Sequence, residues 1–306
     1  MSTDAIPDFA ALAQPVALVA HDAGAANIII GWFKSSPPPA DMRVHLAGPA
    51  LVAWQAAFPH HPVMTLDAAL AGAGSLLSGT SWQSAVEHEA RRAARASGVP
   101  TIAVIDHWVN YRQRFVRDDM EVLPDRIWVA DRYALDIATA EFPGIPVEQY
   151  ANRYLDAEVE AVAAIDKAVP ERPAGDRVLY ALEPIRLDWK GDDARPGEFQ
   201  ALDYFLSQLG TLGISEDADI RLRPHPSDPP GKYDDWIKAR GRPGITLAPD
   251  EPIAQAVAWS NWVAGCESFV LIIGTAAGRR TVSTLPPWGN AFRLPQQSII
   301  RLREVG

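Results

Sequence analysis

The sequence predicts an α/β protein of two doubly wound, Rossmann-like domains facing a common cleft. Three observations carry this expectation. Short apolar runs alternate with helix-like stretches along the 306 residues, and strands that alternate with helices pair in parallel, with helices on both faces. The alternation halts at Pro-Glu-Arg-Pro-Ala-Gly-Asp (170–176), rich in Pro, Gly and charge, and then restarts. Length agrees, since domains run to roughly 150 residues each. The domains are set at 1–170 and 171–306.

In the first domain, 16–20 is an apolar strand, His21 to Asn27 a small-residue turn, and the apolar stretch to Phe33 a helix. Strand 43–47 and helix 49–58 follow, then short strands at 63–66 and 75–77. A helix is expected at 82–97, with charges on one face and Ser81 able to cap it. Strand 101–105 ends at Asp106, strand 126–130 leads to a helix capped by Asp131, and 147–150 closes the set. Helix 155–169 connects the domains. In the second domain, strands are expected at 177–182, 219–223, 245–248, 262–265 and 281–285, and helices at 199–212, 233–240, 253–259 and 268–277.

Composition excludes several classes. A net charge of −10 argues against a nucleic-acid or anionic-membrane binder, which carries basic stripes. It leaves room for an anionic small ligand, which needs only one or two local cations. Cys266 is the only cysteine, so there is no intrachain disulfide and no cysteine-based zinc site. Residues 1–14 lack the basic and apolar regions of a signal peptide, and no apolar run approaches the roughly 20 residues of a membrane span. A cytoplasmic protein is expected. There is no HExxH, P-loop or GxSxG motif. Asp118-Asp119 and Asp234-Asp235 read as surface charges, and neither a metal nor a cofactor is expected.

In doubly wound domains ligands bind outside the carboxyl ends of the strands, which selects four clusters. The first is His21 to Asn27, with Asp22, Gly24 and Asn27. Small residues there let main-chain amides approach an anion at a helix start, or simply pack a tight turn. The second is Asp106-His107-Trp108-Val109-Asn110-Tyr111. Asp106 or His107 is placed to act as a general base, or Asp106 caps the next segment with Trp108 and Tyr111 in the core. Arg112 and Arg114 follow, able to meet an anionic substrate or to sit solvated on the surface. The third is Arg223-Pro224-His225-Pro226, a histidine on a rigid backbone suited to a phosphate or merely to a turn. The fourth is Gly265-Cys266-Glu267-Ser268, where Ser268 and nearby amides can bind phosphate and Glu267 a ribose, or both cap the helix. Cys266 reads as a small buried residue.

The third and fourth clusters together resemble bacterial glycosyltransferases of the GT-B fold. They are similar to the sialyltransferase and polysialyltransferase families with their capsule-synthesis relatives, and to polymerases that transfer glycerol phosphate from CDP-glycerol. His225 and Pro226 match the His-Pro motif that contacts the nucleotide phosphate region in those families. Ser268 matches the second residue of their Ser-Ser motif, with Glu267 in place of the first. Asp106 matches their general base by position, with His107 and Trp108 in place of the second acid and the glycine. Glu267 also resembles the glutamate that many GT-B enzymes set against the donor ribose.

The resemblance implies metal-independent transfer of a sugar from a nucleotide-sugar donor, with a CMP-linked nonulosonic acid as the first candidate, to a glycan or other hydroxyl acceptor, as in polysaccharide biosynthesis. Asp106 takes the acceptor proton, and His225, Ser268 and the helix amides stabilise the leaving phosphate. Two alternatives stay open: a nucleotide-sugar hydrolase or UDP-sugar 2-epimerase using His21, and a non-catalytic nucleotide-sugar-binding protein.

Overall fold

The computed structural model describes residues 4–81, 84–169, 174–185, 189 and 195–305. The start of the helix expected at 82 and residues 170–173 of the expected linker lie outside the described residues. Contacts divide the chain into two compact units, Met1–Asp156 and Ala157–Gly306.

The first unit holds strands β1 (Val16–Ala20), β2 (Arg43–Leu46), β3 (Ser75–Ser78), β4 (Thr101–Ile105), the hairpin β5 (Val116–Arg117) and β6 (Met120–Glu121), β7 (Arg126–Val129) and β8 (Val147–Gln149). Its helices are α1 (Ala23–Ser35), α2 (Gly48–Ala57), α3 (Leu66–Leu70), α4 (Val86–Ala96) and α5 (Arg132–Glu141), and α6 (Arg153–Ala168) runs on into the second unit. Six strands form one parallel sheet in the order β2-β1-β3-β4-β7-β8. β1, β3 and β4 are buried along their whole length, as strands covered on both faces must be. Trp32, Trp54, Trp128, Phe9 and Phe33 fill the core beneath them. Fully burying one such side chain stabilises by about 1.5–3 kcal/mol or more.

The second unit holds β9 (Arg177–Ala181), β10 (Asp219–Arg223), β11 (Ile245–Leu247), β12 (Trp262–Gly265), β13 (Arg280–Ser283) and β14 (Ile300–Arg301). Its helices are α7 (Gly197–Ser207), α8 (Leu209–Leu212), α9 (Asp234–Arg240), α10 (Ile253–Trp259) and α11 (Phe269–Ala276). The strands pair in parallel in the order β11-β10-β9-β12-β13-β14, which is the 3-2-1-4-5-6 order of the dinucleotide-binding fold. Tyr180, Phe205, Trp236 and Trp262 anchor its core.

Several elements differ from expectation. The strand at 63–66 is reduced to one bridge, Val44 to Val63, because Thr65 caps α3 by accepting the Ala68 N–H. Ser81 does not cap α4; its Oγ accepts from Ser84, ahead of the helix. The single helix expected at 199–212 breaks at Gln208, whose N–H turns back to the Phe205 carbonyl. The β5–β6 hairpin was not expected. Its two central residues, Asp118 and Asp119, have φ of 47° and 58°, the signature of a type I′ turn.

The sheet order reverses between β1 and β3 in one unit and between β9 and β12 in the other. Such switch points open a crevice at the strand carboxyl ends.

Candidate functional site

In the first unit the switch point is built around His21, the residue after β1. Its Nδ1 lies 2.7 Å from Asp22 Oδ1, so Asp22 makes no capping bond to α1 although it is the N-cap. The His21 N–H donates to Glu87 Oε1 at 2.8 Å. Glu87 is fully buried; burial raises its carboxyl above the usual range, and the His21 N–H pulls the other way. Gly48 backs the imidazole: a Cβ there would stand 2.7 Å from His21 Nε2, and φ is +50°.

Asp106 meets this turn from β4. A Cβ on Gly24 would stand 1.8 Å from Asp106 Oδ2, so only glycine lets the first turn of α1 approach the carboxylate. Oδ1 accepts Arg114 Nη1 at 2.7 Å. The same Nη1 reaches the Thr80 carbonyl and Oγ1, both at 3.1 Å, and Arg114 Nε donates to the Val109 carbonyl at 3.2 Å. Arg114 is therefore buried, against the surface alternative. Beneath it Arg91, fully buried, donates to Ser78 Oγ and to the carbonyls of Gly79 and Arg114. Burial lowers its guanidinium only to about 10, so Arg91 stays charged at neutral pH.

The structure thus joins His21, Asp22, Gly24 and Asp106. It places the remaining residues of the first two clusters differently. Asn27 is half-buried on the second turn of α1. The His107 ring lies 5.3 Å from that of Trp108, whose Nε1 donates to Asp131. Tyr111 is buried and stacks on Phe142, and burial raises its phenol so that it stays protonated. Arg112 is exposed and paired with Glu121 and Glu141.

In the second unit the switch point centres on a residue the sequence analysis missed. Glu183, just after β9, accepts the N–H groups of Cys266 at 2.7 Å and Glu267 at 2.9 Å through Oε1, and that of Glu267 at 3.0 Å through Oε2. Burial pushes its carboxyl up to about 7, opposed by these N–H bonds. Glu267 is held by Arg293, likewise missed: Nη2 donates to Oε2 at 2.6 Å, Nε to the same oxygen at 3.0 Å, and the main-chain N–H to Oε1 at 2.5 Å. Ser268 caps α11, its Oγ accepting the Val270 N–H. Cys266 is buried and its thiol is pushed well up by burial, which makes it a poor nucleophile.

After β10, Arg223 donates to the Glu251 carbonyl at 2.9 Å. His225 and Pro226 are exposed on the following turn, and Ser227 N–H donates to His225 Nδ1 at 3.1 Å. Among the described residues no three His, Cys, Asp or Glu side chains gather as a metal site. No helix among them is long and apolar enough to cross a membrane.

The two sheets and their switch points define a protein of two Rossmann-like units. The architecture is that of the GT-B fold. A UDP-N-acetylglucosamine 2-epimerase from Rickettsia bellii matches with a TM-score of 0.52 at 10% identity, over 88% of this chain and 78% of that one. Looser matches are the ADP-heptose heptosyltransferase II of Escherichia coli (TM-score 0.42, 12% identity, 94% of this chain and 90% of that one) and the wall teichoic acid polymerase TagF (0.42, 12%, 87% and 70%). No family model and no curated protein sequence matches the chain.

Proposed function

We propose that the chain is a metal-independent glycosyltransferase that moves a sugar from a nucleotide donor to an acceptor hydroxyl. The observation that carries this reading is Asp106. Its carboxylate stands at the end of a buried strand, pinned by a buried arginine on one oxygen and packed on the start of α1 through the other. A fixed carboxylate at a strand end is what general-base chemistry on a hydroxyl requires. In the second unit, Ser268 and His225 are the donors for a leaving phosphate, an electrostatic role that needs no metal. Glu183 already takes the amides of Cys266 and Glu267, so side chains carry more of that task than in the expectation from sequence.

A second reading is favoured by a separate observation. The His21 imidazole is oriented by Asp22 at 2.7 Å, an arrangement that suits proton transfer. It fits a nucleotide-sugar hydrolase or 2-epimerase, the activity named for the Rickettsia protein.

The test is a thermal-shift panel with CMP, CDP, UMP, UDP, ADP and GDP on the wild type and His225→Ala. A ligand at 100 times its Kd stabilises by about 2.7 kcal/mol. A cytidine-specific shift abolished in His225→Ala supports the transferase with a CMP-type donor, and a nonulosonic acid is then the first sugar to try. A shift with UDP alone moves the epimerase reading ahead and makes His21→Asn the next variant. No shift with any nucleotide refutes both.

A further inference from the structure

The exposed turn that carries His225 stands on buried charge. The Asp228 side chain is 1% exposed. Its Oδ2 accepts the His225 main-chain N–H at 3.1 Å and the Tyr233 hydroxyl at 3.0 Å. Its Oδ1 accepts Lys232 Nζ at 2.6 Å. Lys232 also pairs at 2.6 Å with Glu198 of α7, whose side chain is 2% exposed. The Asp228 N–H donates back to the His225 carbonyl at 2.8 Å, which closes the turn.

Above this base the imidazole is fixed as well. Ser227 N–H donates to His225 Nδ1 at 3.1 Å, and Ser227 Oγ lies 2.8 Å from the same nitrogen. A ring nitrogen that accepts a main-chain N–H carries no proton in the neutral imidazole, so the proton sits on Nε2. A buried ion cluster adds little net stability over apolar packing, and fixing one arrangement is its better-attested use.

We propose that Ser227 and Asp228 are positioning residues that hold His225 as the Nε2–H tautomer, a neutral hydrogen-bond donor for an anionic phosphate oxygen. Lys232 and Glu198 keep Asp228 in place. The phosphate role rests on the nucleotide reading above; the tautomer does not.

The experiment is a nitrogen-15 imidazole spectrum of the full chain labelled at histidine, recorded at a pH where the rings are neutral. His225→Gln assigns the signal among the seven histidines. The wild type should show one Nε2–H form. Ser227→Pro, which deletes the N–H, should move the two ring nitrogens toward each other as the tautomers average. Ser227→Ala, which keeps the N–H, should retain the Nε2–H form. Asp228→Ala should average like Ser227→Pro. If the remaining histidine signals show that Asp228→Ala is unfolded, Asp228→Asn is read in its place.

An averaged or Nδ1–H ring in the wild type overturns the proposal. So does a spectrum that is unchanged in Ser227→Pro. The nucleotide panel is scored separately: a fixed tautomer with no nucleotide shift removes the phosphate role and leaves the positioning intact. Nucleotide binding to a protein whose His225 averages does the reverse.

Discussion

Arg114→Met tests the candidate base through its support. The substitution keeps much of the side-chain volume but removes the 2.7 Å pair with Asp106 and the bonds to Thr80 and Val109. Breaking one partner of a buried ion pair costs about 3–5 kcal/mol, because the other charge is left desolvated. The Arg114 side chain is 6% exposed and that of Asp106 is 18% exposed. Asp106 therefore recovers some hydration, and a loss near the lower end, about 3 kcal/mol, is expected. Urea unfolding measures it as a fall in midpoint with the slope unchanged. The double variant Asp106→Asn/Arg114→Met should lose less than the sum of the singles, with a coupling of about 1–3 kcal/mol. A surface arginine costs within about 0.5 kcal/mol when replaced. A single-variant loss in that range, or additive singles, would show that Arg114 does not hold Asp106.

Gly24→Ala should cost about 1–3 kcal/mol by overpacking and displace the Asp106 carboxylate, which a crystal structure of the variant reads directly. Glu183 titrates higher in the folded than in the unfolded chain, from 4.5 to about 7. Its contribution is fully present below pH 4.5 and is lost as pH rises through about 7, so Glu183→Gln should flatten the fall in urea midpoint across that window. His88 is buried with its pKa lowered from 6.5 by burial and by Arg91. Its contribution has the opposite sign, present above pH 6.5 and lost as pH falls through the lower folded value, and His88→Gln should remove that acid-side loss. Asp119→Gly should gain about 0.5–1 kcal/mol, the left-handed cost relieved less the entropy glycine adds, measured by thermal melting.

The fold was legible because burial on both faces writes strands as unbroken apolar runs. β4 and β12, buried at every residue, fall where those runs place them. What failed were short segments whose ends are set by one side chain. Thr65 ends a strand by capping a helix, and no periodicity records that choice. The hairpin of β5 and β6 has only two residues per strand, too few for alternation to show. Arg112 and Arg114 illustrate the same limit in the site. Both lie in one 3-10 turn, Arg112–Phe115, two residues apart. In a 3-10 turn residues two apart point to different sides, so one reaches solvent and the other the strand ends. The sequence Arg-Gln-Arg does not say which. Glu183 was legible: it is an acid just past a buried strand, the same signal that selects Asp106.

The two units meet one physical demand in the same way. Where sheet order reverses, the loops after β1 and β12 turn away from their neighbours and leave main-chain N–H groups without ladder partners, and buried N–H groups must be paired. In the first unit Glu87 takes the N–H of His21. In the second, Glu183 takes those of Cys266 and Glu267. Each carboxyl is raised by its own burial, so each is costly to ionise and would be poorly placed there for stability alone. Their common effect is to fix the main chain at the two points where a Rossmann sheet receives ligand. In the proposed nucleotide-sugar enzyme, with the main chain fixed from within, discrimination among ligands falls to the side chains beside these two points: His21, Asp22 and Asp106 in one unit, and Ser268 with the His225 turn in the other.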